Sequence, residues 1–95
     1  MKRVLATCLM IVISACAGAP VQEMSDARQA VRAAQAAGAE ERAPAELAEA
    51  RQLIADAQQH LQRHEYRLAE DTAVAARKQA LRALEISREA VAAER

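Results

Sequence analysis

The chain has 95 residues, the size of one small domain, and carries 13 basic against 13 acidic residues for a formal net charge of zero. Its apolar share of 53% is mostly alanine; Phe and Trp are absent and Tyr66 is the single aromatic. With no basic patch and no stacking platform, the composition argues against nucleic-acid binding. A buried alanine methyl adds only roughly 0.8 kcal/mol. Helix propensity must therefore contribute much of the order, since Ala, Arg, Glu, Gln and Leu are all strong helix formers.

The chain opens with MKRVLATCLMIVISACAGAP. Lys2 and Arg3 form a positive n-region, and residues 4–13 form an apolar h-region of the usual length for a signal peptide. The segment closes on ISAC, which resembles a bacterial lipobox: Ile13, the small residues Ser14 and Ala15, then Cys16. That resemblance implies cleavage between Ala15 and Cys16, a diacylglycerol on the Cys16 thiol, and a further fatty acyl chain such as palmitate on the new amine. Small residues let the protease approach the backbone, and the thiol is the nucleophile that takes the lipid.

Three other readings stand beside it. A transmembrane anchor needs about 20 apolar residues, and this stretch is interrupted by Ser14, Gly18 and Pro20. An ordinary cleaved signal with a chance cysteine is a second. A Cys8–Cys16 disulfide is a third, although Cys8 lies in the part that would be discarded. On the lipoprotein reading, residues 1–15 are a signal peptide, 16–21 a lipidated cysteine and short tether, and 22–95 a helical domain. The mature chain keeps 11 basic and 13 acidic residues. Several acyl chains, at about 0.8 kcal/mol per buried methylene, make an effectively permanent anchor. Ala17, where an aspartate would imply inner-membrane retention, implies the periplasmic side of the outer membrane. The tether AGAPV spans at most about 18 Å, so the folded part sits close to the bilayer.

Three helical segments follow, at about residues 20–37, 44–63 and 65–95. Pro20 suits a first helical turn, Gly38 suits a left-handed helix end, and Met24, Ala27, Val31 and Ala34 recur at spacings of three and four. GAEERAP is a short connection. Ala43 precedes a proline and is pushed out of helical geometry; Pro44 and Glu46 then make a good first turn. The second segment carries Leu47, Ala50, Ile54, Ala57 and Leu61, the cleanest apolar stripe in the chain. Continued unbroken, that stripe would bring His64, Leu68, Asp71, Ala75 and Lys78 into the seam, which is a poor core. Restarted at Tyr66 it becomes Tyr66, Ala69, Ala73, Ala76, Ala80, Ala83, Ser87 and Ala90. The phase slips by two residues with no loop composition, which predicts a tight helix–helix turn with His64 at positive φ. The fold class predicted is all-α: an alanine-rich, three-helix antiparallel bundle.

His60 and His64, four apart, raise a metal site, with Asp56 one turn earlier. Two or three ligands without a second cluster are a weak pattern; the plainer reading is a solvated His60 and a turn-forming His64. The third helix, at roughly 46 Å against about 30 Å for the second, is expected to overhang the hairpin, pack on the first helix, or await a partner. Leu81, Leu84 and Val91 form an apolar edge beside its alanine stripe, as a core edge or as an interface.

EYRLAEDTAVAA resembles the second half of a tetratricopeptide-type hairpin, through Tyr66, Ala69, Ala73 and Ala76, with Ala57 where a small residue lets the helices close. One such unit is present, so a repeat array is excluded. More broadly, EMSDARQAVRAAQAAGAEERAPAELAEARQLIADAQ followed by EYRLAEDTAVAARKQA is similar to a family of small bacterial envelope lipoproteins known as domain of unknown function 4398. The similarity covers most of residues 21–85. The family's usual aromatic before the AP pair is replaced by Arg42, which implies looser packing there. The resemblance implies a helical envelope protein without an assigned reaction, with a scaffold role by association with peptidoglycan-binding domains.

The leading functional expectation is a lipid-anchored helical interaction protein on the periplasmic face of the outer membrane. It would bind an envelope protein or peptidoglycan-associated partner through Leu81, Leu84 and Val91, with self-association open because alanine seams suit it. The alternatives are a metal-binding envelope protein using Asp56, His60 and His64, and a noncovalent spacer between membrane and cell wall. Covalent wall attachment through a C-terminal lysine does not fit, since Lys78 is the only lysine after the leader and the sequence ends at Arg95. No cofactor is expected. No enzyme is expected either: the hydroxyls after the leader are Ser25, Thr72, Ser87 and Tyr66, without a nucleophile–base arrangement or a glycine-rich phosphate loop. Glu70 and Asp71 lie among arginines, as on a solvated, charge-paired helix face.

Overall fold

The computed structural model describes residues 18–95. The expected leader over residues 1–15, the cleavage point at Ala15 and Cys16, and the lipidation of Cys16 lie outside the described residues. Within them the chain is all-α, with α1 (Val21–Ala36), α2 (Ala39–Arg42), α3 (Pro44–Gln62) and α4 (Tyr66–Ala93). The three long helices match the three periodic segments. The GAEERAP connection is more ordered than its composition suggests, because its middle coils into the single turn α2.

Backbone chemistry sets each boundary. Pro20 precedes α1, and its carbonyl accepts the Met24 N–H at 3.1 Å. Gly38 ends that helix at φ 86, and its N–H donates to the Gln35 carbonyl at 3.0 Å. Glycine takes this left-handed conformation without the Cβ clash that other residues meet. Ala43, ahead of Pro44, is extended at φ −144, as the steric clash with a following proline ring requires. Pro44 then opens α3, where its missing N–H costs nothing. At the other end of α3, His64 has φ 61. The His64 N–H donates to the Leu61 carbonyl at 3.0 Å, and the Glu65 N–H reaches back to the His60 carbonyl at 2.9 Å. This is the Schellman pattern, with histidine in the place glycine usually holds. It accounts for the two-residue slip in phase.

The contacts give the topology. Met24, early in α1, meets Ala57 late in α3 and Ala73 early in α4. Ala30, Val31 and Ala34, late in α1, meet Leu47 and Ala50 early in α3 and Ala80 and Ala83 further along α4. So α1 and α4 run parallel, α3 runs against both, and α4 packs on each of them. Among the described residues, twelve of the fifteen buried apolar side chains are alanine, which puts the helix axes near the short end of the usual 8–10 Å separation. Along α4, Ala69, Ala73, Ala76, Ala80, Ala83 and Ser87 are fully buried. The Ser87 hydroxyl is satisfied by donating to the Ala83 carbonyl at 2.8 Å. Leu47 is the largest side chain to be fully enclosed among the described residues.

The C-terminal end of α4 lies beside α2. Arg42 donates from both terminal nitrogens to the two carboxylate oxygens of Glu94, at 2.7 and 3.2 Å. Arg51, on α3, donates to Glu40 at 2.9 Å. Thus α2 clasps the ends of α3 and α4. The planar Arg42 guanidinium makes this paired contact at the connection, beside an open groove that it borders with Gly38, Glu41 and Val91. The Arg42 hydrogen bond holds the Glu94 carboxyl below its ordinary value of 4.5, and hydrogen bonds from Arg51 and then Gln35 do the same for Glu40.

Two predictions follow from this packing. Leu47→Ala should cost about 2–5 kcal/mol, and Ala80→Leu about 1–3 kcal/mol because the seam has no room for added methylenes; urea unfolding followed by circular dichroism measures both. Carboxyls with a lowered folded-state pKa contribute stability above their unfolded value, and that contribution is lost as pH falls through the lowered one. Acidification below 4.5 should therefore open the α2 clasp before the bundle, with the amide protons of α2 losing protection as the Glu40 and Glu94 carboxyl resonances titrate.

Candidate functional site

The residues singled out by sequence fall in two places. The first is the α3–α4 turn. His60, on the last turn of α3, places Nδ1 3.2 Å from Glu65 Oε1, an ion pair when the ring is protonated. His64 leaves the helix through its left-handed backbone, and its ring stacks on Tyr66 with centroids 5.9 Å apart and planes 13° from parallel. Asp56 accepts a hydrogen bond from Gln52 at 3.0 Å. Each of the three metal candidates thus has its own local neighbour. Among the described residues, no group of three or more His, Cys, Asp or Glu side chains is placed to hold a metal ion.

The second place is the side of α4 facing α1. Leu81 is 40% exposed and borders a shallow groove with Asp26, Gln29 and Ala33. Leu84 turns inward and packs against the larger core cluster. Val91 is half-buried, beside Ala37 and Arg88. The three do not form one open edge: Leu81 is the accessible member, and Leu84 belongs to the core.

Two features had no clear signal in the sequence. Glu65 pairs with His60 across five residues, a spacing that an unbroken helix does not bring together; it works only because the chain turns between them. The other is a groove of about 260 Å³ between α1 and α3, floored by Met24 and Leu61 and bordered by Val21, Arg28 and Arg32. The two arginines, one helical turn apart, have no ion-pair partner among the described residues. Among those residues no helix is long and apolar enough to cross a membrane.

Fold and surface together define a small alanine-seamed helical bundle with a hairpin tip at one end and a clasp at the other. The model of the family described as Domain of unknown function (DUF4398) matches residues 22–95, and the chain belongs to that family. No curated protein and no solved structure matches it.

The turn geometry gives His64 a conformational role that can be separated from ligand binding. A non-glycine residue in the left-handed region carries a penalty of about 1–2 kcal/mol, partly offset by the stack on Tyr66. His64→Gly should leave the fold intact and raise stability by up to about 1 kcal/mol, read from the urea midpoint. A lower midpoint would mean that the ring stack outweighs the backbone strain.

Proposed function

We propose that this chain is a lipid-anchored helical interaction protein of the bacterial cell envelope, held by an acylated Cys16 on the periplasmic side of the outer membrane. The observation that carries the reading is the order of signals in MKRVLATCLMIVISAC. A charged start, an apolar stretch and a small-residue approach to cysteine are followed after four residues by an ordered bundle. A processed lipoprotein needs all of these in that order. The bundle supplies helix edges rather than an enclosed chamber, so the partner is a helix or an envelope protein surface that packs along them. Leu81 is the open apolar residue on the α1 side of α4. The partner class is an envelope protein or a peptidoglycan-associated domain, and the reading assigns no reaction.

Mass spectrometry of protein extracted from membranes tests it. The expected product begins at Cys16 and carries diacylglycerol and fatty acyl mass, and Cys16→Ala abolishes both the processing and the membrane association. An intact leader, or a mature chain without lipid, overturns the reading.

A further inference from the structure

We infer that the hairpin end of the bundle is a membrane-contact face, seated in the phospholipid headgroup layer of the same leaflet that holds Cys16. This rests on the lipid-anchor reading and adds an orientation to it. Met24 packs beside Ala57 and Ala73, and Val21 shares its groove with Leu61. The start of α1 therefore lies at the same end as the α3–α4 turn, with the α2 clasp and Glu94 at the opposite end. The tether from Cys16 reaches at most about 18 Å, whereas the 28 residues of α4 span about 42 Å. The tether joins the bundle at the hairpin end and is too short to bring the anchor alongside the clasp.

The surface at that end suits a lipid headgroup layer. Val21 is 74% exposed, Leu68 48% and Tyr66 40%. All three lie within the first turn of α1 or α4; the two most exposed large apolar side chains among the described residues, Val21 and Leu68, thus sit with Tyr66 where the tether enters, while Leu81 at 40% and Val74 at 38% lie further along α4. Tyr66 carries an apolar ring and a polar hydroxyl, the combination enriched at membrane–water interfaces. Arg63, in the turn, is exposed and has no ion-pair partner among the described residues. Arg67 makes only a 4.0 Å contact with Asp71. Both guanidiniums are available to phosphate oxygens, which they bind in a fork. Acidic residues stand at both ends, Glu65, Glu70 and Asp71 near the hairpin and Glu40, Glu41, Glu46 and Glu49 near the clasp, so the two guanidiniums rather than net charge make the polar contact.

The chain contains no tryptophan, so one introduced indole reports position. The acylated protein, purified from membranes, is reconstituted into phosphatidylethanolamine–phosphatidylglycerol vesicles whose acyl chains carry bromine. With Tyr66→Trp, emission should shift to the blue and be lost to bromine quenching. With Ala93→Trp, at the clasped end, emission should be unaffected. Leu68→Trp gives a second reporter at the hairpin end if the first variant folds poorly. Quenching confined to Ala93→Trp, or equal at the two ends, overturns the inference. So does an acylated sample in which neither hairpin-end reporter is quenched. The same samples are weighed by mass spectrometry, so a chain lacking acyl mass marks failure of the anchor itself, whereas an acylated but unquenched chain marks failure of the orientation alone.

Discussion

The close approach of three helices along a line of alanines is the constraint on which the rest of the structure depends. Ala69, Ala73, Ala76, Ala80 and Ala83 on α4 are fully buried, and α1 and α3 both lie against that line. A methyl group brings little transfer free energy, so attraction comes from many short contacts between neighbouring backbones. Such contacts work only at one separation and one rotation. A helix turned by a single residue would replace Ala76 with Arg77 or Ala80 with Leu81. The seam is thereby selective in geometry even though it is weak per residue. It also leaves the larger apolar side chains at the edges of α4, where Leu84 and Ile86 are half-buried and Leu68, Val74 and Leu81 are exposed.

Because the seam tolerates so little rotation, the turns must deliver each helix in the right phase. Gly38, Ala43 with Pro44, and His64 do this by backbone conformation, with one residue or one pair at each junction. The His64 case shows the principle. A longer loop could have absorbed a phase error, whereas a left-handed residue followed at once by a new helix fixes the angle between α3 and α4. The hydrogen bonds from His64 and Glu65 back to Leu61 and His60 satisfy the last carbonyls of α3, so the sharp reversal leaves few backbone groups unpaired.

Much of this was legible in the order of residues. Stripes at spacings of three and four mark the faces of all three long helices, and the phase slip at residues 64–66 locates the reversal. Proline and glycine chemistry places the other boundaries. The short helix α2 was not legible, because four residues carry no period. The clasp was not legible either, since Arg42 and Glu94 are 52 positions apart and their meeting depends on the finished register of α4. For the candidate site, the sequence could nominate His60 and His64 but not Glu65, whose pairing with His60 exists only once the turn has formed. Leu81, Leu84 and Val91 look equivalent on a helical projection. They differ in the fold because α1 ends at Ala36 and the core cluster draws Leu84 inward.

Leu47 stands nearly alone as a fully enclosed large side chain, and this has a thermodynamic consequence. The heat-capacity increment of unfolding follows the apolar area newly exposed to water, while exposed polar surface lowers it. A bundle whose interior is mostly methyl groups and helical backbone uncovers little of the first and much of the second. Its free-energy curve against temperature should accordingly be low and broad, with a gradual melt, a remote cold limit, and nearly constant resistance over a wide span of moderate temperatures.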